Sequence, residues 1–281
     1  MKFFMTPLFV FFLSFGCNDN TDNTAVATLP ASNLKNVSYG SDPEQIMDVY
    51  LPAGRTSSTK VFVLVHGGAW SGGSKEDFAY VIPMLQLQFP NYAFVNLEYR
   101  LATLSSPGFP KQIQDIEKMI SFLKSSSYNV SSDYAFIGAS AGAHLSMLYS
   151  YKYDADDSVK AVCSVVGPTD FTDPSYTQNP IFAQGLTYLI GPADYNVNPA
   201  PFIAVSPVTH VDAQSPPTIL FYGGQDPLIP ATQGPRLKEK LDDAGVYNEF
   251  YIYANGGHGN WDAATTLDFQ SKLSNFLQLH F

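Results

Sequence analysis

The 281-residue chain carries 25 acidic residues against 15 Lys and Arg, a formal net charge of -10 with a pI near 4.7, which repels a phosphate backbone and excludes nucleic acid as a partner. Charged residues make up only 14% and hydrophobic residues 45%, so charge-driven disorder over the whole length is excluded and the length suits one large domain. Two cysteines, Cys17 and Cys163, leave room for neither a disulfide framework nor a cysteine-based zinc cluster.

Met1 and Lys2 precede an apolar run from Phe3 to Phe15, then Gly16 and Cys17 give way to a polar Asn-, Asp- and Thr-rich tract. The run is shorter than the roughly 20 residues a spanning helix needs and reads as the core of a secretory signal. Ser14-Phe15-Gly16-Cys17 resembles the lipobox of bacterial lipoproteins. The expectation is a signal peptide over residues 1–16, lipidation of Cys17, and a flexible tether over 17–32. The protein would then be exported and held at the membrane by its amino-terminal lipid alone, the alternative being an ordinary signal and a secreted or periplasmic product. Cys163, inside an apolar run, reads as a buried core residue.

Residues 33–281 read as one domain. Short apolar runs predict strands at Ile46 to Leu51, Val61 to Val65, Tyr92 to Leu97, Tyr134 to Ile137, Val159 to Val166, Thr218 to Tyr222 and Glu249 to Tyr253. Helical patterns lie between them at Asp77 to Phe89, Lys111 to Lys124, Ala141 to Tyr151, Pro235 to Ala244 and Asp262 to Leu279. Such alternation implies a mostly parallel sheet with helices on both faces, and ligand sites in such sheets gather at the carboxyl ends of strands. Residues 170–217, rich in Pro, Asn and Tyr with a short helix around Ile181 to Leu189, break the rhythm; they are expected either as a lid or substrate-facing wall or as a passive excursion.

Four strand ends carry chemistry. Gly138-Ala139-Ser140-Ala141-Gly142 stands between a strand and a helix, the context of a nucleophile elbow, where a sharp turn projects the serine hydroxyl and neighbouring side chains would collide with strand and helix. Ser140 is therefore the candidate nucleophile, and the N–H of Ala141, at the helix start, faces developing negative charge. His66-Gly67-Gly68-Ala69-Trp70 follows the Val61 to Val65 strand, making the N–H groups of Gly68 and Ala69 further oxyanion donors. His66 is expected to brace that loop. Trp70 is a candidate substrate-binding residue, with packing beneath the loop as the equal alternative. A serine hydroxyl needs a base and the base needs an acid, and the loops after the last two predicted strands offer Asp226 and His258, in the chain order Ser140, Asp226, His258. Asp170 is the second candidate for the acid; Asp115 and His144 read as structural, His210 in the irregular segment as either structural or near the pocket, and His280 lies at the terminus.

These residues, with Gly138 through Leu145, Tyr99-Arg100-Leu101, Phe109-Pro110 and Ser206-Pro207, resemble α/β-hydrolase serine esterases, closest to the feruloyl and acetyl-xylan esterase-like and kynurenine formamidase-like branches. Ala69 stands where a lipase-like branch has a third glycine, and Glu98 stands where Asn or Asp often precedes Tyr-Arg-Leu. The resemblance implies an α/β-hydrolase fold of about eight mostly parallel strands, the triad Ser140, Asp226 and His258, and no metal or organic cofactor. It also implies a carboxylic-ester hydrolase, with carbohydrate esters as the first expected substrate and an arylformamidase or small-ester carboxylesterase as the alternative. A different class stays open, a glycan-binding surface lipoprotein that has lost activity.

Overall fold

Residues 28–281 are described by the structure, a computed structural model, so the expected signal peptide, Cys17 and most of the expected tether lie outside the described residues. The strands are β1 (Ser32–Ser38), β2 (Ile46–Leu51), β3 (Val61–Val65), β4 (Ala93–Leu97), β5 (Tyr134–Ala139), β6 (Val159–Val165), β7 (Thr218–Gly223) and β8 (Asn248–Tyr253). They form one sheet in the order β1-β2-β4-β3-β5-β6-β7-β8. β1 and β2 pair antiparallel, as do β2 and β4, and every later pairing is parallel. The sequence reading lacked β1. Its alternation is carried by Leu34 and Val37 alone among polar residues, and the register shifts between them, so periodicity is faint.

The helices are α1 (Ile82–Gln88), α2 (Lys111–Ser125), α3 (Ala141–Leu148), α4 (Pro174–Thr177), α5 (Pro180–Ile190), α6 (Ala200–Val205), α7 (Gln233–Asp243) and α8 (Ala263–His280). The single helix expected from Asp77 to Phe89 is instead a 3-10 turn, Lys75–Phe78, followed after a break by α1. Pro83 explains the break: it lacks an N–H and its ring displaces the carbonyl four residues back, so it is tolerated in the first turn of α1 and not inside a longer helix. The helix expected to reach Tyr151 ends at Leu148 and widens into a π turn over Tyr149–Tyr153. Residues 170–217 carry α4, α5, α6 and a 3-10 turn, Pro207–His210, more helix than their composition suggested.

Strand alternation divides the core into two layers. Val61, Val63 and Val65 of β3 join the layer beneath α2, α3 and α7, with Ile116, Met147 and Leu237. Phe62 and Leu64 join the opposite layer beneath α1 and α8, with Leu85, Leu273 and Phe276. Full burial of such side chains contributes about 1.5–3 kcal/mol each, which holds the register and so the positions of the strand ends. The polarity of the strand order reverses around β3, which pairs with β4 on one side and β5 on the other, opening the carboxyl ends of β3 and β5 to the site.

Candidate active site

Ser140 occupies the turn between β5 and α3 with φ 53° and ψ -120°, a left-handed backbone that a non-glycine residue adopts at a cost of about 1–3 kcal/mol. Its N–H donates to the carbonyl of Val165 at 2.8 Å, tying the turn to β6. The turn presses α3 against β3. A Cβ at Gly142 would sit 2.0 Å from the carbonyl oxygen of Val65 and 2.3 Å from that of His66, so no other residue fits there without moving the backbone.

The loops after β7 and β8 bring Asp226 and His258 to Ser140 from 86 and 118 positions away in the chain. His258 Nδ1 lies 2.8 Å from Asp226 Oδ2, and His258 Nε2 lies 2.9 Å from Ser140 Oγ. A carboxylate can only accept, so the imidazole proton sits on Nδ1 and the Nε2 lone pair is left for the serine hydroxyl. The second oxygen of Asp226, Oδ1, accepts from the N–H of Leu228 at 2.8 Å and of Ile229 at 3.1 Å. Burial by itself raises the Asp226 pKa, but the hydrogen bonds from His258, Leu228 and Ile229 outweigh it and hold the carboxyl below the usual carboxylate value.

The loop after β3 carries three consecutive left-handed residues, Gly68 (φ 112°), Ala69 (φ 47°) and Trp70 (φ 64°). At Gly68 a Cβ would fall 2.0 Å from the carbonyl oxygen of Gly72, whose N–H closes the turn onto Gly68. Among the described residues nothing accepts from the N–H of Gly68 or Ala69. The N–H of Ala141, in the first turn of α3, has no partner within its own helix. These are donors that an oxyanion can take up.

The loop is braced from beneath. His66 is fully buried, stacks on Tyr99 at 4.2 Å and meets Glu98 Oε1 through Nε2 at 3.0 Å. Glu98 Oε2 accepts from the N–H of Lys75 at 3.0 Å, so one carboxylate clamps both ends of the loop. Sequence reasoning gave Glu98 no role; the signal was its place before Tyr99-Arg100-Leu101, where a longer acid reaches two partners. Gln112 Nε2 and the N–H of Ala102 both donate to the carbonyl of Trp70, at 2.7 and 2.8 Å.

Trp70 itself corrects the substrate-binding expectation. Its ring is 6% exposed and packs edge-on against His144 and Phe171, and its indole N–H donates to His144 Nδ1 at 3.0 Å. With its only polar group spent and its faces buried, Trp70 underpins the loop instead. His144 Nε2 donates onward to the carbonyl of Val205 at 2.7 Å, which ties the loop to α6. Asp170 points elsewhere, paired with Arg236 at 2.7 Å and with Thr172. Asp115 is fully buried against Gln45 and Arg100. His210 Nε2 donates to the Ala204 carbonyl at 3.0 Å, and His280 packs on Tyr247. Cys163 is buried in β6, where desolvation pushes its thiol up.

Beside Ser140 a cleft of about 380 Å³ opens between α1 and α8. Ser140 and His258 form part of its wall, and Phe78, Met84, Trp261 and Phe269 line the rest. Among the described residues no group of His, Cys, Asp and Glu is arranged to hold a metal ion, and no helix is long and apolar enough to cross a membrane.

Comparison with known proteins agrees with this architecture. Residues 47–241 match the family BD-FAE. The chain is 29% identical over 244 residues to the esterase LipC of Mycobacterium tuberculosis, covering 80% of this chain and 59% of that one. It is 30% identical over 148 residues to the kynurenine formamidase of Danio rerio, covering 49% of this chain and 46% of that one. A solved truncated carbohydrate esterase from gut microbiota superposes with a TM-score of 0.72 at 24% identity, over 87% of this chain and 96% of that one. The chain thus spans less than two thirds of the length of the curated relatives cited, and the solved structure bears on the fold.

Proposed function

We propose that this chain, which belongs to the BD-FAE family of α/β-hydrolases, is a serine carboxylic-ester hydrolase. The observation that carries the reading is the continuous hydrogen-bond chain from Ser140 through His258 to Asp226, at 2.9 and 2.8 Å, beside unpartnered N–H groups. His258 takes the Ser140 proton as Oγ attacks the ester carbonyl carbon. The carbonyl oxygen becomes an oxyanion held by the N–H groups of Gly68, Ala69 and Ala141. His258 returns the proton to the departing alcohol oxygen, leaving an acyl ester on Ser140. Water, deprotonated by the same histidine, then releases the acid and restores the hydroxyl. Asp226, held ionised, fixes the His258 tautomer throughout and stabilises the imidazolium formed in each step. The chemistry asks nothing of a metal or organic cofactor.

Carbohydrate esters are the proposed substrates, a reading supported by the likeness in fold to a carbohydrate esterase and by the expected export of the protein through its amino-terminal signal and Cys17 lipid. The similarity to kynurenine formamidase favours arylformamide hydrolysis as the second reading. Turnover of p-nitrophenyl acetate, acetylated xylan and N-formylkynurenine by the protein and by Ser140→Ala tests both. The expected result is ester turnover lowered by several orders of magnitude in Ser140→Ala. Equal rates in the two proteins would refute the mechanism, and rapid N-formylkynurenine turnover with xylan untouched would replace the first substrate by the second.

A further inference from the structure

We propose that the cleft between α1 and α8 is the acyl pocket of this site and that it takes an uncharged apolar acyl group larger than acetyl, alkyl or aryl. The inference rests on the ester-hydrolase reading and specifies its substrate. Its first support is position. Ala139, Ser140 and His258 line the cleft, and no residue of the oxyanion loop from His66 to Gly73 does. A carbonyl attacked by Ser140 with its oxygen turned to that loop directs its other substituents away from it, and the cleft adjoins Ser140 without touching that loop.

Polarity decides which half of the ester enters. The lining holds Phe78, Val81, Met84, Trp261, Phe269 and Leu273, and no Asp, Glu, Lys or Arg. Beyond Ser140 and His258 its polar side chains are Tyr80, Gln88, Thr266 and Gln270, too few to pair every hydroxyl of a sugar seated there, and each hydroxyl left unpaired costs about 1–3 kcal/mol, whereas an apolar acyl chain gains by leaving water. An ester of a carbohydrate with an apolar acid is thereby sorted, the acyl group inside and the sugar outside. The absence of charge also disfavours a dicarboxylic acyl group. Volume adds a lower limit: about 380 Å³ lies within the roughly 300–1,000 Å³ of small-molecule pockets, and an acetyl methyl would leave most of it unfilled.

The aromatic wall is held in place by its own contacts. Trp261 donates its indole N–H to the carbonyl of Gly257 at 3.3 Å and packs edge-on against Tyr253 at 4.8 Å and Phe269 at 5.2 Å. Phe269 in turn packs on Phe221 of β7 at 4.7 Å. Across the cleft, Gln270 of α8 reaches Met84 Sδ of α1 at 3.8 Å. Met84 on one side and Thr266 on the other are thus the residues whose size sets the acyl length admitted. Both reach solvent in part, so added bulk there need not disturb the core.

The test measures kcat/KM of the full chain on p-nitrophenyl esters from acetate to octanoate, for the wild type, Ser140→Ala, Thr266→Trp and Met84→Trp. Wild-type kcat/KM should peak beyond acetate. Each tryptophan variant should lower the hexanoate-to-acetate ratio at least tenfold, the scale of discrimination a hydrophobic pocket exerts on one or more methylenes. A parallel series of acetates with lengthening alcohols should keep its ratios in both variants. If Ser140-dependent turnover is present but both variants change acetate and hexanoate in equal proportion, the pocket assignment is wrong. If the alcohol series alone responds, the cleft holds the leaving group and the assignment is equally wrong. If the folded wild type shows no Ser140-dependent ester turnover, the ester-hydrolase reading falls and takes the pocket with it.

Discussion

His144 makes the fold sensitive to acid in a calculable way. Its Nδ1 accepts from the indole N–H of Trp70, so its single proton lies on Nε2 and donates to the Val205 carbonyl. The ring is fully buried, with Trp70 and Phe171 stacked edge-on about it and neither carrying a charge. Burial pushes the imidazole from 6.5 down to about 4, against a smaller upward pull from the Val205 hydrogen bond. The unfolded chain binds the proton near 6.5 and the folded chain only near 4. Stability from this group is therefore complete above about pH 6.5 and lost as the pH falls towards about 4. A gap of about 2.5 between the two pKa values, at about 1.4 kcal/mol for each, is about 3.5 kcal/mol, of which about 3 kcal/mol is lost by about pH 4, where the folded imidazole is half protonated. That is a large share of the roughly 5–15 kcal/mol by which a domain is stable. The assay is urea unfolding, followed by tryptophan fluorescence, at about pH 7 and about pH 4 for the wild type and His144→Gln, whose amide can accept from Trp70 and donate to Val205 without titrating. The wild type should lose about 3 kcal/mol more than the variant across that interval. Equal losses would refute the buried, neutral imidazole.

Two further substitutions probe the site's supports. Gly142→Ala places a Cβ about 2 Å from the Val65 carbonyl and should destabilise the fold by 1–3 kcal/mol or more, read as a lowered urea midpoint; an unchanged midpoint would mean that α3 is free to move off β3. Glu98→Ala removes the acceptor shared by His66 and the Lys75 N–H and should lower kcat on p-nitrophenyl acetate by about 10²-fold with KM little altered, because a displaced oxyanion loop costs transition-state contacts more than substrate binding. An unchanged kcat would show that Tyr99 and Gln112 hold the loop without it.

Local chemistry made much of the fold legible. The strands whose residues are buried on both faces, such as Val61–Val65 and Tyr134–Ala139, read directly as apolar runs. The half-exposed β1 did not, because an edge strand satisfies its burial with two side chains. Pro83 was a visible breaker, yet its effect depends on whether it falls in the first turn or the interior of a helix, which the pattern from Asp77 to Phe89 left undecided. At the site, the strand-turn-helix around Ser140 and the glycines of the His66 loop are demands of steric fit within a few residues, and such demands are written in composition.

The sequence by itself therefore determined most of the strands and helices, where a strained turn must form, and which hydroxyl, imidazole and carboxylate were available at strand ends. Only the tertiary structure decided that Ser140, His258 and Asp226 meet, that Trp70 turns inward to His144 while the α1–α8 cleft opens beside Ser140, and that Glu98 clamps the loop. Backbone strain and side-chain periodicity are properties of neighbours in the chain. Strand order, side-chain direction and the space between two helices follow from burial shared among residues far apart, and no local pattern encodes that sum.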